Sequence, residues 1–179
     1  MMADLSGKKV AVVATDYFEE PELIEPVQAL RDAGADVEII APKEGEIKAL
    51  KHVEPGQSVR VDKTLDEANP EDYDALVLPG GAVNADHLRT EDKALDFVKK
   101  MFGEGKPTAV ICHAPWVLVS AGLARGKKLT SYFTIADDLR NAGAEWSDEQ
   151  VVQDGNLITS RNPDDLPAFN QALISALAG

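Results

Sequence analysis

Apolar residues along this chain fall into short unbroken blocks joined by stretches of helical period. Lys8–Thr15 (KKVAVVAT), Ala35–Pro42 (ADVEIIAP), Asp74–Gly81 (DALVLPGG) and Pro107–His113 (PTAVICH) are four such blocks. They are strand-sized and rich in Val, Ile and Leu with no polar alternation, which predicts strands buried on both faces of a parallel sheet. Between the first two, Leu23, Val27 and Leu30 recur at helical spacing behind Pro21, and Gly34 stands where a C-cap belongs. Ala94, Phe97, Val98 and Met101 mark a second amphipathic helix, closed near Gly103 and Gly105, and Ala114–Leu123 reads as a third. The C-terminal part predicts strands at Val151–Asp154 and Leu157–Ser160 and helices at Thr134–Ala142 and Pro167–Leu177. From Lys43 to Pro70 the pattern weakens, and Ser58–Asp62 alternates as a short edge or hairpin strand does, which suggests an excursion off the main sheet.

Strands alternating with helices predict an α/β fold with a mainly parallel sheet between helical layers, in which ligands sit outside the carboxyl ends of the strands. The turns after Thr15, Leu78 and Ile111 are therefore the places to look for chemistry. No repeat, low-complexity tract or linker interrupts the 179 residues, so one domain over 1–179 is expected.

Charge narrows the partners. Asp and Glu number 31 against 18 Lys and Arg, a net charge of −13, which opposes binding to nucleic acid and to anionic membrane. The apolar blocks are too short to span a bilayer and Asp4 breaks the N-terminus early, so a cytoplasmic address is expected. The single cysteine rules out an intrachain disulfide framework and a thiolate-rich zinc site. His52 and His87 show no metal-ligand spacing and read as surface histidines, and Gly80 and Gly81 fit neither nucleotide-binding glycine pattern.

That cysteine, Cys112, ends one buried block and immediately precedes a helical one. The position predicts a nucleophile elbow, with the sulfur at the sheet's carboxyl edge beside free backbone N–H groups that favour a thiolate. The competing reading is a small buried core residue. His113 is placed to exchange protons with substrate or thiol, or else to cap and pack. Glu19 and Glu20 follow the first strand into the same expected crevice, where a protonated carboxyl would steady a thiolate, or else they serve as first-turn helix carboxylates. The N–H groups of Gly80 and Gly81 are candidates for an oxyanion hole facing Cys112.

Six segments then carry a resemblance: DYFEEPELIEP (Asp16–Pro26), DALVLPGG, ICHAP (Ile111–Pro115), GKKLTSY (Gly126–Tyr132), NAGAEW (Asn141–Trp146) and SRNPDDLPAF (Ser160–Phe169). In order and spacing they resemble the PfpI family of intracellular cysteine proteases and deglycases, over nearly the whole chain. The resemblance implies a flavodoxin-like three-layer sandwich of the class I glutamine amidotransferase-like superfamily. It further implies Cys112 as nucleophile, Glu19 as the glutamate that hydrogen-bonds the thiol, and His113 as the histidine that follows the nucleophile. Asp86 falls where hexameric members present an acidic residue to the histidine of a neighbouring subunit. An aspartate there, and Ala114 in place of the usual glycine, depart from the pattern.

The function this implies is cysteine-dependent, stress-protective chemistry on small reactive carbonyls such as methylglyoxal, or on early glycation adducts of proteins, nucleotides or amines. Gly81 and Ala114 would then supply oxyanion donors, and neither a metal nor an organic cofactor is called for. Trp116 beside the elbow argues for a small substrate. Two alternatives stand: intracellular peptide hydrolysis in an assembled ring, and a redox sensor or chaperone that uses Cys112 without turnover. A homodimer or hexamer is the family expectation, with nucleic acid relevant only as a repair substrate.

Overall fold

A computed structural model describes residues 3–179. In chain order the first half comprises β1 (Lys9–Val13), β2 (Phe18–Glu19), α1 (Glu20–Asp32), β3 (Asp36–Ala41), β4 (Glu46–Lys51), β5 (Glu54–Arg60), β6 (Lys63–Thr64), β7 (Ala75–Leu78), α2 (Ala82–Leu88) and α3 (Asp92–Gly103). The second half comprises β8 (Thr108–Ile111), α4 (Pro115–Ser120), β9 (Lys128–Leu129), α5 (Ala136–Asn141), β10 (Glu145–Trp146), β11 (Val152–Asp154), β12 (Leu157–Ser160) and α6 (Leu166–Ala178). The central sheet has the order β11-β12-β8-β7-β1-β3-β6, parallel throughout except for the β11–β12 edge pair. This is the mainly parallel α/β arrangement that the alternating blocks predict and the flavodoxin-like fold that the resemblance implies.

The unbroken apolar runs are explained by two cores, one on each face of the sheet. Side chains of a strand alternate between faces, so Val10, Val12 and Ala14 enter one core while Ala11 and Val13 enter the other. Ala75 and Val77 against Leu76 and Leu78, and Ala109 and Ile111 against Val110, divide in the same way. On the first face α1 and α6 bring Leu23, Val27, Leu30, Phe169 and Leu173. On the second, α2 to α5 bring Leu88, Phe97, Val98, Met101, Val117, Leu118 and Leu139. Among the described residues no helix is long and apolar enough to cross a membrane.

Several boundaries differ from the expectation. The helix after Cys112 stops at Ser120 instead of Leu123, because Gly122 adopts φ +74° and Leu123 N–H returns to the Leu118 carbonyl at 2.9 Å, a Schellman closure. The expected Thr134–Ala142 helix is a 3-10 turn at Phe133–Ile135 followed by α5. The excursion off the main sheet is the β4–β5 hairpin, which pairs with β2 as a separate three-stranded sheet. Its strands are longer than Ser58–Asp62, and both α2 and the edge strand β6 lay outside the sequence pattern. The hairpin leans over the carboxyl end of β1, and that places it beside the site.

Candidate active site

Strand β8 delivers Cys112 at the sheet's carboxyl edge, and Pro115 opens α4 three residues later. The turn is sharp enough that Cys112 has φ +66°, a left-handed conformation that costs a side-chain-bearing residue about 1–3 kcal/mol. Two backbone hydrogen bonds hold it: Cys112 N–H donates to the Ser160 carbonyl at 3.1 Å, and its own carbonyl accepts from Tyr132 N–H at 2.8 Å. A core residue needs no such geometry, so the strain points to a sulfur held for chemistry. Cys112 is 6% exposed.

The carboxyl beside this sulfur is Glu22, not Glu19. Glu22 is wholly buried at the start of α1, close enough to Cys112 for each group's charge state to bear on the other. Its Oε1 accepts from Gly80 N–H at 2.9 Å, while the buried Oε2 has no hydrogen-bond partner among the described residues. Burial, reinforced by the charge of nearby Glu19, drives the Glu22 carboxyl well above its ordinary range and so favours its protonated form. Burial likewise pushes the Cys112 thiol up, and an ionised Glu22 would push it further, whereas the Gly81 and His113 backbone N–H groups pull it down. The expectation of a thiol pKa simply lowered by the helix start is thus corrected by burial. A protonated Glu22 no longer repels the thiolate, and the pair then carries at most one negative charge.

Glu19 faces a different group. Both of its carboxylate oxygens accept from His52 N–H, at 2.9 and 3.1 Å, which fastens the hairpin tip to the end of β2. The same backbone accounting bears on the candidate oxyanion donors. Gly80 N–H is engaged by Glu22, and Ala114 N–H donates to the Ile111 carbonyl at 3.1 Å. The backbone N–H groups near enough to lower the thiol pKa are those of Gly81 and His113. Ala114 is buried in the second core and does not narrow the approach to the thiol.

Close approach explains the glycine pair. A Cβ on Gly80 would stand 2.3 Å from Glu22 Oε1 and 2.5 Å from Cys112 Cβ, and one on Gly81 would stand 2.7 Å from both Glu19 N and the Tyr17 carbonyl oxygen. Gly80→Ala is therefore expected to cost about 2–3 kcal/mol and to wedge carboxyl from thiol. Denaturant unfolding together with the rate of thiol alkylation would show it, and an unchanged midpoint with an unchanged rate would contradict it. The loops after β1 and β7 are cross-tied by buried Asn84, whose Oδ1 accepts from Thr15 N–H at 2.8 Å while its amide donates to the Pro79 and Gly80 carbonyls, each at 3.0 Å.

His113 Nδ1 lies 3.1 Å from Cys112 Sγ. Its ring stacks on Tyr132 at 4.8 Å between centroids and meets Trp116 edge-on at 5.3 Å, and burial pulls its pKa down, keeping the imidazole neutral. Trp116 does not line the cleft. It is turned toward Asp138, to which its Nε1–H donates at 2.9 Å. Asp86 is exposed on α2 and, among the described residues, makes no hydrogen bond with His113. A Cys-His-Asp triad is not formed within one chain.

Cys112, His113 and Glu22 open into a cleft of about 460 Å³ walled by Tyr17, Leu50, Val53, Val83, Tyr132 and Pro163, with Glu19 and His52 along one side. His87 is exposed on α2 as expected, whereas His52, read as a surface residue, has an exposed ring that also borders the cleft. Glu22 was missed by the sequence reading although a signal was present: it shares the buried stripe of α1 with Leu23, Pro26, Val27 and Leu30, where an acid is out of place.

A flavodoxin-like α/β domain with a cysteine on a strained strand-to-helix elbow, beside a buried carboxyl, is the class that fold and site define. Comparison with known proteins places it more closely. The chain belongs to the DJ-1/PfpI family, whose model matches residues 8–176. It is 46% identical over 169 residues to Deglycase PfpI of Pyrococcus furiosus, covering 94% of this chain and 99% of that one. It is 44% identical over 172 residues to Protein/nucleic acid deglycase 2 of Escherichia coli, covering 96% and 98%. Drosophila melanogaster DJ-1beta superposes with a TM-score of 0.88 at 32% identity, covering 96% of this chain and 91% of that one.

Proposed function

We propose that this protein is a cysteine-dependent deglycase of the glyoxalase type, acting on methylglyoxal-like dicarbonyls and on their early adducts with amines and thiols. The observation that carries this reading is the buried Glu22 carboxyl beside Cys112 in a largely apolar cleft, where burial favours a protonated acid. The names of the relatives from Pyrococcus furiosus and Escherichia coli point to the same chemistry.

In this reading Glu22 donates to the sulfur and stabilises the thiolate, which adds to the aldehyde carbon. The Gly81 and His113 N–H groups stand beside the new C–S bond and take the alkoxide. With an early adduct, the amine or thiol leaves from that carbon and the same cysteinyl hemithioacetal results. His113 removes the proton from the former aldehyde carbon and returns it to the adjacent carbonyl carbon through an enediol, so the aldehyde carbon is oxidised as its neighbour is reduced. Water then hydrolyses the thioester to release a 2-hydroxy acid and the thiolate, with no external oxidant or cofactor. We place this activity in the cytoplasm as a stress response. Peptide hydrolysis, the alternative, requires a carboxylate on His113, and Asp86 would supply it only from a neighbouring copy in a homodimer or hexamer.

The test is NMR of methylglyoxal with catalytic amounts of protein. Many equivalents of lactate per chain are expected. Consumption limited to one equivalent, with Cys112 permanently modified or oxidised, would overturn the enzymatic reading in favour of a sensor.

A further inference from the structure

We infer that the Glu19 carboxylate makes this cleft selective by charge, favouring positively charged and neutral carbonyl adducts over anionic ones. The inference rests on the cleft being the place where Cys112 meets its substrate. Glu19 borders the cleft, is 9% exposed, and is held by two hydrogen bonds from His52 N–H, which fix the carboxylate in place without cancelling its charge. Among the described residues no Lys or Arg lines the cleft. The hairpin's Lys51 lies 3.6 Å from Glu20 Oε2, and Lys43 pairs with Asp16 at 2.6 Å. His113 is held neutral by burial. The one lining group that can oppose Glu19 is the largely exposed His52 ring, with Nδ1 3.9 Å from Oε1.

Apolar walls from Leu50, Val53, Val83 and Pro163 lower the local dielectric and focus the field of that single carboxylate toward the thiol. The chain's net charge of −13 adds to it with the same sign. Favoured substrates are therefore carbonyl adducts on amines flanked by further cationic groups, as in basic peptide segments. Adducts that carry a carboxylate or phosphate near the reacting carbon are disfavoured.

Cys112, the chain's one cysteine, allows a test that needs no turnover. The protein is treated with two methanethiosulfonate reagents that share a reactive group, one bearing a trimethylammonium and the other a sulfonate. The thiolate attacks the sulfenyl sulfur, forms a mixed disulfide and releases methanesulfinate, and intact mass follows the rate. Measured at low salt and about pH 8, above the ordinary imidazole range, each rate is divided by that of the same reagent with 2-mercaptoethanol. The corrected cationic rate is expected to exceed the anionic rate by about tenfold or more, and the Glu19→Gln variant to bring the ratio within about threefold. A corrected cationic rate no higher than the anionic one in the unaltered protein overturns the inference, whether or not the variant folds. A ratio unchanged in a folded Glu19→Gln variant overturns it as well. Carbonyl turnover is measured separately, so its failure is distinguishable from a failure of charge selection.

Discussion

Cys112→Ser is expected to lower methylglyoxal turnover by about 10³-fold or more while leaving the fold intact. Serine fits the elbow: the left-handed backbone at Cys112 is fixed by Ser160 and Tyr132 main-chain groups, which do not depend on the side chain. What is lost is the nucleophile, because a hydroxyl without a strong base is far harder to ionise than a thiol. The nearest base, His113, is itself weakened by burial, and its ring is held by stacking on Tyr132 in place of a carboxylate. Lactate formation followed by NMR, with circular dichroism to confirm folding, is the check. Turnover within about tenfold of the unaltered protein would mean that the sulfur is not the reacting atom.

The second large effect concerns Glu22. Replacing it with leucine removes the donor to the thiolate and leaves Gly80 N–H without its acceptor, and turnover is expected to fall about 10²-fold. Glutamine keeps both an acceptor for Gly80 and a donor toward the sulfur, so the loss should be smaller, about tenfold. Alkylation by iodoacetamide as a function of pH separates the two electrostatic pictures. If Glu22 is a neutral donor, Glu22→Leu raises the thiol pKa. If it is a carboxylate repelling the thiolate, the same substitution lowers it, and that result would contradict the account.

Stability provides an independent readout of the same carboxyl. The folded-state pKa of Glu22 is raised above its ordinary value of 4.5, so over the window between the two the folded protein holds a proton that the unfolded chain has released. Its contribution to stability is present below the ordinary value and is lost as pH rises through the raised one. The Tm of Glu22→Gln relative to the unaltered protein should therefore increase as pH climbs above about 4.5. A difference that stays flat with pH would show that Glu22 titrates normally.

Features set by local pattern were legible in the sequence. Runs such as Val10–Val13 and Leu76–Leu78 feed two cores at once, so their unbroken apolar character reports a sheet covered on both faces. The elbow was legible because strand, cysteine and helix are contiguous. Features that depend on which backbone group meets which side chain across the fold were not. Glu19 and Glu22 lie one helical turn apart, and only the packing of α1 against the loop after β7 decides that Glu22 takes Gly80 N–H while Glu19 takes His52 N–H. Gly80 N–H was lost as a candidate oxyanion donor for the same reason, since a glycine N–H is available only if no nearby carboxylate has claimed it. Asn84 ties its neighbourhood to Thr15, 69 residues away in the chain, and has no sequence signature. Its α2 segment was hidden because its polar side chains do not form an amphipathic stripe.

The most direct test of the central claim, that Cys112 turns over carbonyl compounds through a covalent intermediate, is rapid acid quench of the protein during methylglyoxal conversion, followed by peptide mass spectrometry. The account predicts a methylglyoxal-derived acyl adduct on Cys112 that forms and decays at the rate of lactate production. Lactate formed while Cys112 stays unmodified, or an adduct that accumulates and never decays, would contradict it.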